Sequence, residues 1–503
     1  MSLPSDRPAV GQDGSYWQFP DARSSSYLVV GFMMLGMAIY RWISSNSSIK
    51  AIPCINPVGF LSGAKVRRDF WEFGEETLNR ARQNFHGGIP GFGPFDMVGR
   101  GIVAALTRKY LTKVSAYMTK VKSDEAEFAL SKAVRDSSAW HEIALAPFTV
   151  DISARMALRI FVGEELCRDE DWLRITEQYE LSWIPTSSRL HEVAWPFRRI
   201  FHWFIPECKE LRDIMKEARR LLAPTIDKRR TRNQAAAAAG REVPRYNDAI
   251  EWFEEEAKLR GWGYDVSLAA DVQMILGITS IHTTSDLMEQ FMIDLGQHPD
   301  VLQPIREEVI HHLQLGGISK ASLYNMKLLD SALKETQRRK PMETVALRRR
   351  AQEDIKLPNG LTLKTGTRTL VDTYRMHDPA IYENPDEWDP ARFLNLRSKP
   401  GGESTAQLVS PSINHIGFGY GKHSCPGRFF ATDTLKVALC HLLVKYEWKL
   451  APGTDTTPQI RGILHLPNPT VKILIRRREK IEVDFDSIWD KSFDTSVDAG
   501  TKM

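Results

Sequence analysis

Between Phe418 and Ala431 the chain reads Phe-Gly-Tyr-Gly-Lys-His-Ser-Cys-Pro-Gly-Arg-Phe-Phe-Ala, a glycine-rich loop that ends at Cys425 and leads into a helix expected to start near Pro426. Proline suits a first helical turn because the N–H it lacks is not needed there. A cysteine just ahead of a helix N-terminus sits at the positive end of the helix dipole, which favours the thiolate. Gly419, Gly421 and Gly427 let the backbone approach something flat or bulky, and N–H groups beside the sulfur can tune its electron donation. On residue types alone, three other roles stay open for Cys425: an inert buried thiol, a hydrolase nucleophile with His415 or His423 as base, or a zinc ligand with those histidines. The zinc spacing is poor, since no second cysteine is close, and one unpaired cysteine is a thin case for a nucleophile.

The string resembles the haem-binding loop of the cytochrome P-450 superfamily, the haem-thiolate monooxygenases. In that family an aromatic residue is followed by a glycine three later, a basic residue, a cysteine, and a glycine two after it. Phe418, Gly421, His423, Cys425 and Gly427 fill these positions. The resemblance implies haem b as cofactor, with the Cys425 thiolate as axial iron ligand and Arg428 beside it. His423 is the better candidate for a haem propionate, ahead of Arg348 or Arg349. The family's propionate motif, Trp-x-x-x-Arg in an early helix, is matched only formally at Trp195 to Arg199 and Trp388 to Arg392, which leaves Arg108 and Lys109 as candidate substitutes.

Two further segments fall in the family's order. Lys334-Glu335-Thr336-Gln337-Arg338 contains Glu-x-x-Arg, and residues three apart on a helix share a face, so Glu335 and Arg338 can pair. The family completes the pair with an arginine from a Pro-x-Arg-Phe segment, which Asp389 to Phe393 resembles through Arg392. The implied role is a buried charge cluster holding the haem-binding loop, so that Arg338→Ala is expected to give apoprotein. The run Gly277 to Ser285 resembles the family's oxygen-activation segment. Thr283 takes the place of the threonine that orients water and delivers protons. His282 departs from the pattern by standing where an acid is common, though a histidine can still relay protons.

The elements that must hold these groups follow from patterning. From about Ser267 to Gly296 the chain is long and apolar without proline, after Asp265 as a cap and before Gln297-His298-Pro299. That predicts a helix of roughly 45 Å. Ser138 to about Lys228 is helix-rich by its apolar spacing of three and four. The tract from Lys228-Arg229-Arg230 through five alanines (Ala235 to Ala239) to Gly240 reads as a solvated connection between two long helices. Asp354 to Leu363 alternates around Asn359-Gly360, a hairpin signal. Trp195 to Pro206, dense in aromatics between prolines, reads equally as a core loop or as a surface loop dipping into a membrane. The expected fold class is mainly α with a minor β region after residue 340 and, by resemblance, the cytochrome P-450 fold.

Composition narrows the class further. The 503 residues include 42% hydrophobic and 26% charged side chains, which excludes disordered and fibrous chains. With 67 basic and 63 acidic residues the net charge is +4, so charge gives no argument for nucleic acid and none is expected as a partner. Five widely spaced cysteines are no disulfide framework and suit a reducing compartment. Ser24 to Tyr40 bears no charge and lies between Arg23 and Arg41-Trp42, which predicts a transmembrane anchor over 24–43. Residues 1–23 are then a lumenal segment, 44–57 a Pro-containing tether and 58–503 a single large haem-enclosing catalytic domain. A cleavable signal peptide competes with the anchor, but the residues before the run are not clearly basic. Positive charge after the run puts the bulk of the chain in the cytosol, single-pass in the endoplasmic reticulum membrane.

The resemblance implies insertion of one oxygen atom from dioxygen into a lipophilic substrate, driven by NADPH through a cytochrome reductase. Lys422, Arg428 and Lys436 flank Cys425 and are the expected docking face for an acidic reductase. Val345, Ala346, Ile278 and Gly462 to His465 are expected pocket-wall positions, and membrane lipid is a further partner. Similarity to fungal enzymes of terpenoid, meroterpenoid and indole-diterpene secondary metabolism points to a terpenoid intermediate. A reductase-independent haem-thiolate isomerase or dehydratase and a non-catalytic haem-binding protein are the alternatives.

Overall fold

An apolar run of about thirty residues behind a capping carboxylate should form one long helix. In the computed structural model Val266–Gln297 is that helix, and Asp265 Oδ1 accepts a hydrogen bond from Leu268 N at 2.8 Å. The structure describes residues 66–68, 86, 88–111, 115–134, 137–351, 353–357 and 360–487. The expected lumenal segment 1–23, anchor 24–43 and tether 44–57 lie outside the described residues. Among the described residues no helix is long and apolar enough to cross a membrane.

Nine described helices exceed ten residues: α1 (Ser115–Val134), α2 (Leu145–Phe161), α3 (Glu170–His191), α4 (Pro206–Ala238), α5 (Ala249–Leu259), α6 (Val266–Gln297), α7 (Pro299–Gly316), α8 (Lys327–Arg339) and α9 (Arg428–Lys445). The strands are short: β1 (Val66–Arg68), β2 (His141–Ala144), β3 (Val345–Ala351), β4 (Ile355–Lys356), β5 (Thr362–Leu363), β6 (Arg368–Asp372), β7 (Tyr446–Leu450), β8 (Gln459–Arg461), β9 (Leu464–Leu466) and β10 (Lys472–Arg477). They pair antiparallel in the orders β1-β3-β6 and β2-β10-β7, with β4-β5 and β8-β9 as separate pairs. The structure is therefore mainly helical with small sheets, as expected.

Helix α6 passes through both large apolar cores. Its first half, from Ala269 to Ile281, packs with α3, α4 and α5. Its second half, from Leu287 to Leu295, packs with α7, α8 and α9. Where these halves meet the helix carries Thr279, Ser280, His282, Thr283 and Asp286, so a polar seam marks the junction of two greasy interfaces.

Three expectations need adjustment. The alanine tract is no connection: residues 228–238 continue α4, a helix of 33 residues. Alanine, lysine, arginine and glutamine are strong helix formers, and nothing between Lys228 and Ala238 interrupts them. His141–Ala144, inside the helix-rich region, is a strand because it pairs with Lys472–Arg477 more than three hundred residues away, a contact local spacing does not carry. Strands thus also occur before residue 340. The hairpin around Asn359-Gly360 is present, with Ile355 opposite Leu363, although Pro358 and Asn359 themselves lie outside the described residues.

The aromatic segment after α3 takes the surface alternative. Arg198 and His202 are buried there, while Ile200, Trp203 and Phe204 are 59%, 59% and 77% exposed. Charged side chains inside and large apolar ones outside reverse the usual arrangement of a water-facing surface.

Candidate functional site

Helix α8 organises the loop that leads to Cys425. Its spacing places Glu335 and Arg338 one turn apart on a buried face, and Arg338 donates to both Glu335 carboxylate oxygens at 2.8 Å. Arg392 reaches Glu335 Oε1 at 3.0 Å from the helix that follows Pro390, so the three residues form the expected cluster. The remaining guanidinium N–H groups are spent on backbone carbonyls: Arg338 on Met376 and Pro385, Arg392 on Glu383, Asn384 and Glu387. One carboxylate thus ties α8 to the irregular chain from 376 to 392.

Two neighbours on α8 extend the grip, and their spacing gave no sign of it. Lys334 Nζ donates to the carbonyls of Thr405, Gln407 and Ser410 at 2.7–2.9 Å. Gln337 lies so close to Gly417 that a Cβ there would fall 2.5 Å from its amide oxygen. His415, a candidate base for Cys425, is instead fully buried against α8. Its Nε2 lies 3.3 Å from Lys334 O, and burial together with the Lys334 charge holds its pKa well below the ordinary value. Among the described residues no group of three or more His, Cys, Asp or Glu gathers at metal-binding spacing.

The loop itself is set by backbone. Gly419 and Gly421 have φ of +70° and +73°, which side chains with a Cβ adopt only at a cost. Gly419 N donates to Ile416 O, Ser424 N to Gly421 O, and Cys425 N to Phe418 O at 2.8 Å. Arg428 then donates to Cys425 O at 2.9 Å and Val409 O at 3.0 Å, fixing the far side of the cysteine. Helix α9 starts at Arg428, two residues later than Pro426 suggests, so Cys425 stands three residues before the helix. Cys425 is partly exposed and forms no disulfide. Phe418 and His423 are half-buried, and Gly427 would place a Cβ 3.9 Å from the Cys425 sulfur.

Of the docking face expected around Cys425, one member turns inward. Lys436 is buried, with its ammonium 2.7 Å from Asp330 Oδ1 and 2.8 Å from Leu323 O. Position 436 falls on the inward face of α9, where its charge is matched internally. Arg428 is engaged with backbone carbonyls, and the side chain of Lys422 lies outside the described residues. Of the propionate candidates, Lys109 bonds Glu256 on α5 at 3.2 Å and Arg348 bonds Glu343 at 2.8 Å, while Arg349 is buried. Arg108 and Lys109 line a surface cavity of about 600 Å³ together with Arg100 and Arg260.

On α6 the hydroxyls bond back along the helix: Thr279 to Ile275 O, Ser280 to Leu276 O and Thr283 to Thr279 O. Thr283 is exposed although the stretches 269–277 and 284–295 on either side are buried, so this face of α6 borders open space rather than packed side chains. At Gly277 a Cβ would meet Thr176 Cγ2 at 3.0 Å, which brings α3 close at this level. There His282 Nε2 lies 3.2 Å from Glu180 Oε2 of α3. That is ion-pair distance, yet burial pushes His282 down to about 4 and Glu180 well up, so at neutral pH two uncharged groups meet. The two expected pocket-wall segments also converge. Thr344 N donates to Ile463 O at 2.8 Å and His465 N to Met342 O at 2.8 Å, which places the β8–β9 turn beside the start of β3.

These contacts predict two stability effects. Arg338→Ala leaves Glu335 buried against one partner fewer and should cost about 3–5 kcal/mol in urea unfolding. Arg338→Lys should not recover it, because an ammonium cannot bridge both carboxylate oxygens. For His282, the unfolded side chain takes up a proton near pH 6.5 and the folded one near 4. The folded form therefore loses stability as pH falls between these values, by at most about 3 kcal/mol. His282→Gln should flatten that part of the pH–stability curve, and an unchanged slope would show that His282 does not titrate as a buried neutral group.

Residues 102–475 match the family model described as cytochrome P450. The chain is 45% identical over 396 residues to cytochrome P450 monooxygenase hepE of Aspergillus oryzae, covering 78% of this chain and 72% of that one. It is 43% identical over 494 residues to cytochrome P450 monooxygenase 2 of Gibberella fujikuroi, covering 91% and 95%. A solved structure described as retinoic acid bound cyanobacterial CYP120A1 shares the fold, with a TM-score of 0.59, 18% identity, and coverage of 85% of this chain and 88% of that one.

Proposed function

The chain belongs to the cytochrome P450 family and is a monooxygenase, and from that premise we propose that Cys425 ligates haem and that Thr283 supplies protons for oxidation of a terpenoid-like substrate. The family implies a haem-thiolate cofactor. The chain's residues fit one: a partly exposed cysteine on a clamped, left-handed glycine loop, and an exposed threonine midway along an otherwise buried helix. When bound, haem supplies the redox chemistry by which one oxygen atom of dioxygen enters a C–H bond and the other leaves as water.

The chain's own contribution is positional. Phe418 O and Arg428 hold the Cys425 backbone from both sides, so the residue that carries the sulfur is fixed in place. Thr283, with its hydroxyl on the open face of α6, orients a water and passes its proton. Phe418, Gly421, Gly427 and Arg428 shape the sulfur's surroundings, and His423 is the propionate contact. Ile278, Val345 and Ala346, half-buried, offer an apolar wall that suits a lipophilic skeleton. The fungal origin of the relatives supports, without specifying, a substrate from secondary metabolism.

Electrons come from NADPH through a reductase, whose docking surface does not include the buried Lys436. The protein works on the endoplasmic reticulum membrane, anchored by 24–43, with its bulk in the cytosol. Exposed Ile200, Trp203 and Phe204 support a second contact with the lipid, next to the helix α3 that lines the site.

The single observation that carries the reading is the clamped presentation of Cys425. Reduced protein with carbon monoxide should give the thiolate-type difference spectrum, and Cys425→Ala should abolish it with far-UV circular dichroism unchanged. A thiolate-type spectrum in the alanine variant would remove Cys425 from the role. NADPH consumption with a fungal reductase separates the monooxygenase from a reductase-independent isomerase. For the lipid contact, the full chain in phosphatidylcholine vesicles should lose brominated-lipid quenching on Trp203→Phe; equal quenching in both proteins would place Trp203 in water.

A further inference from the structure

One turn beyond Thr283, α6 carries two carboxyl groups for which the reading above has no use. Asp286 is 7% exposed and Glu289 4% exposed, and neither has a hydrogen-bond or ion-pair partner among the described residues. Gln290, 1% exposed, has its amide nitrogen in the same condition. Three buried polar side chains within about one turn of one helix, all unmatched, are unusual, because protein interiors satisfy nearly every such group. Buried polar groups without protein partners are the places where protein interiors hold ordered water.

Their placement is directional. At 100° per residue Thr279, Thr283, Asp286 and Gln290 fall on one stripe of α6, and Thr283 and Asp286 are neighbours at a spacing of three. The stripe starts on the open face and ends in the packed second half of the helix. The nearest cation, Lys340, is taken: its ammonium lies 2.6 Å from Asp294 Oδ1, and Asp294 Oδ2 accepts from Thr336 at 2.7 Å. Burial and the adjacent Glu289 carboxyl outweigh the opposing charge of Lys340 and keep Asp286 protonated well above the ordinary range, and burial raises Glu289 to about 8.

We propose that Asp286 is the proton reservoir for Thr283, with Glu289 and Gln290 enclosing the water between them. This rests on Thr283 facing the reaction space. One proton leaves the Asp286 carboxyl for the enclosed water, a proton of that water moves to the Thr283 hydroxyl, and the hydroxyl's own proton goes into the cavity. Asp286 then regains a proton from solvent on the side of the partly exposed Lys340, the charge that acts on it, with Glu289 as a second protonated carboxyl beside it. Asp286 acts through Thr283 and is a positioning residue.

The test uses the full-length holoenzyme with a fungal NADPH reductase and no added substrate. At neutral pH the wild-type-minus-Asp286→Asn infrared difference should contain the C=O stretch of a protonated carboxylic acid that shifts in D2O. Its absence means Asp286 is ionised, and the proposal fails. Asp286→Asn should slow the water-forming branch of dioxygen reduction by about 100-fold, the lower range for a lost proton donor, so that electrons leave as peroxide. Asp286→Glu should restore water formation, which a merely structural role would not do. If Thr283→Ala diverts electrons to peroxide and Asp286→Asn does not, the relay alone is wrong. If Thr283→Ala has no effect, the reading of Thr283 beneath it is wrong. Should Asp286→Asn lose the haem, the infrared band of Asp286→Glu, displaced from that of wild type, decides between protonated and ionised.

Discussion

A carboxylate with no contact to water costs several kcal/mol to bury unless its oxygens are matched by donors held in place. Glu335 meets that requirement with a two-point contact to Arg338 and a third bond from Arg392. Because both arginines also hold backbone carbonyls over 376–387, the carboxylate ties together chain that has little regular structure of its own. Lys334 and Gln337 do the same for 405–410 and 417. The loop that presents Cys425 is thus positioned by one helix, and the placement of its backbone depends on the pairing of a charge far from it in sequence.

A second constraint acts on α6. Two apolar cores grip its halves, and the level between them is left for polar side chains. Groups placed there lose water without gaining strong partners, so their charged forms are disfavoured. His282 with Glu180, and Asp286 with Glu289, are therefore neutral at neutral pH. Neutral acids in a low-dielectric interior can give up a proton without first separating an ion pair. The same architecture that stabilises the fold supplies a place for proton movement.

Much of this was legible in order. The Asp265 cap, the uninterrupted run behind it, the Glu-x-x-Arg spacing and the hairpin around Asn359-Gly360 are local signals, and local structure obeys them. Lys436 was expected on the surface because lysine usually is, yet it turned inward onto Asp330. Residues 228–240 were read as a connection from their low complexity, when alanine's helix propensity was the stronger term. His141–Ala144 took its strand from a partner near the C-terminus. The acid at Asp286 is visible within an apolar helix, but nothing in its spacing tells that the Lys340 ammonium is bound to Asp294 instead.

The family, the identity of the cysteine, the long helix and the charge-cluster residues are determined by the sequence itself, because each rests on residue types at short fixed spacings. Which charges face inward, which histidine meets which acid, where the aromatic segment is exposed and which carboxyls stay protonated were decided only by tertiary structure. Burial and pairing at these places are set by segments a hundred or more residues apart, and free energies of desolvation depend on those contacts rather than on neighbours in the chain.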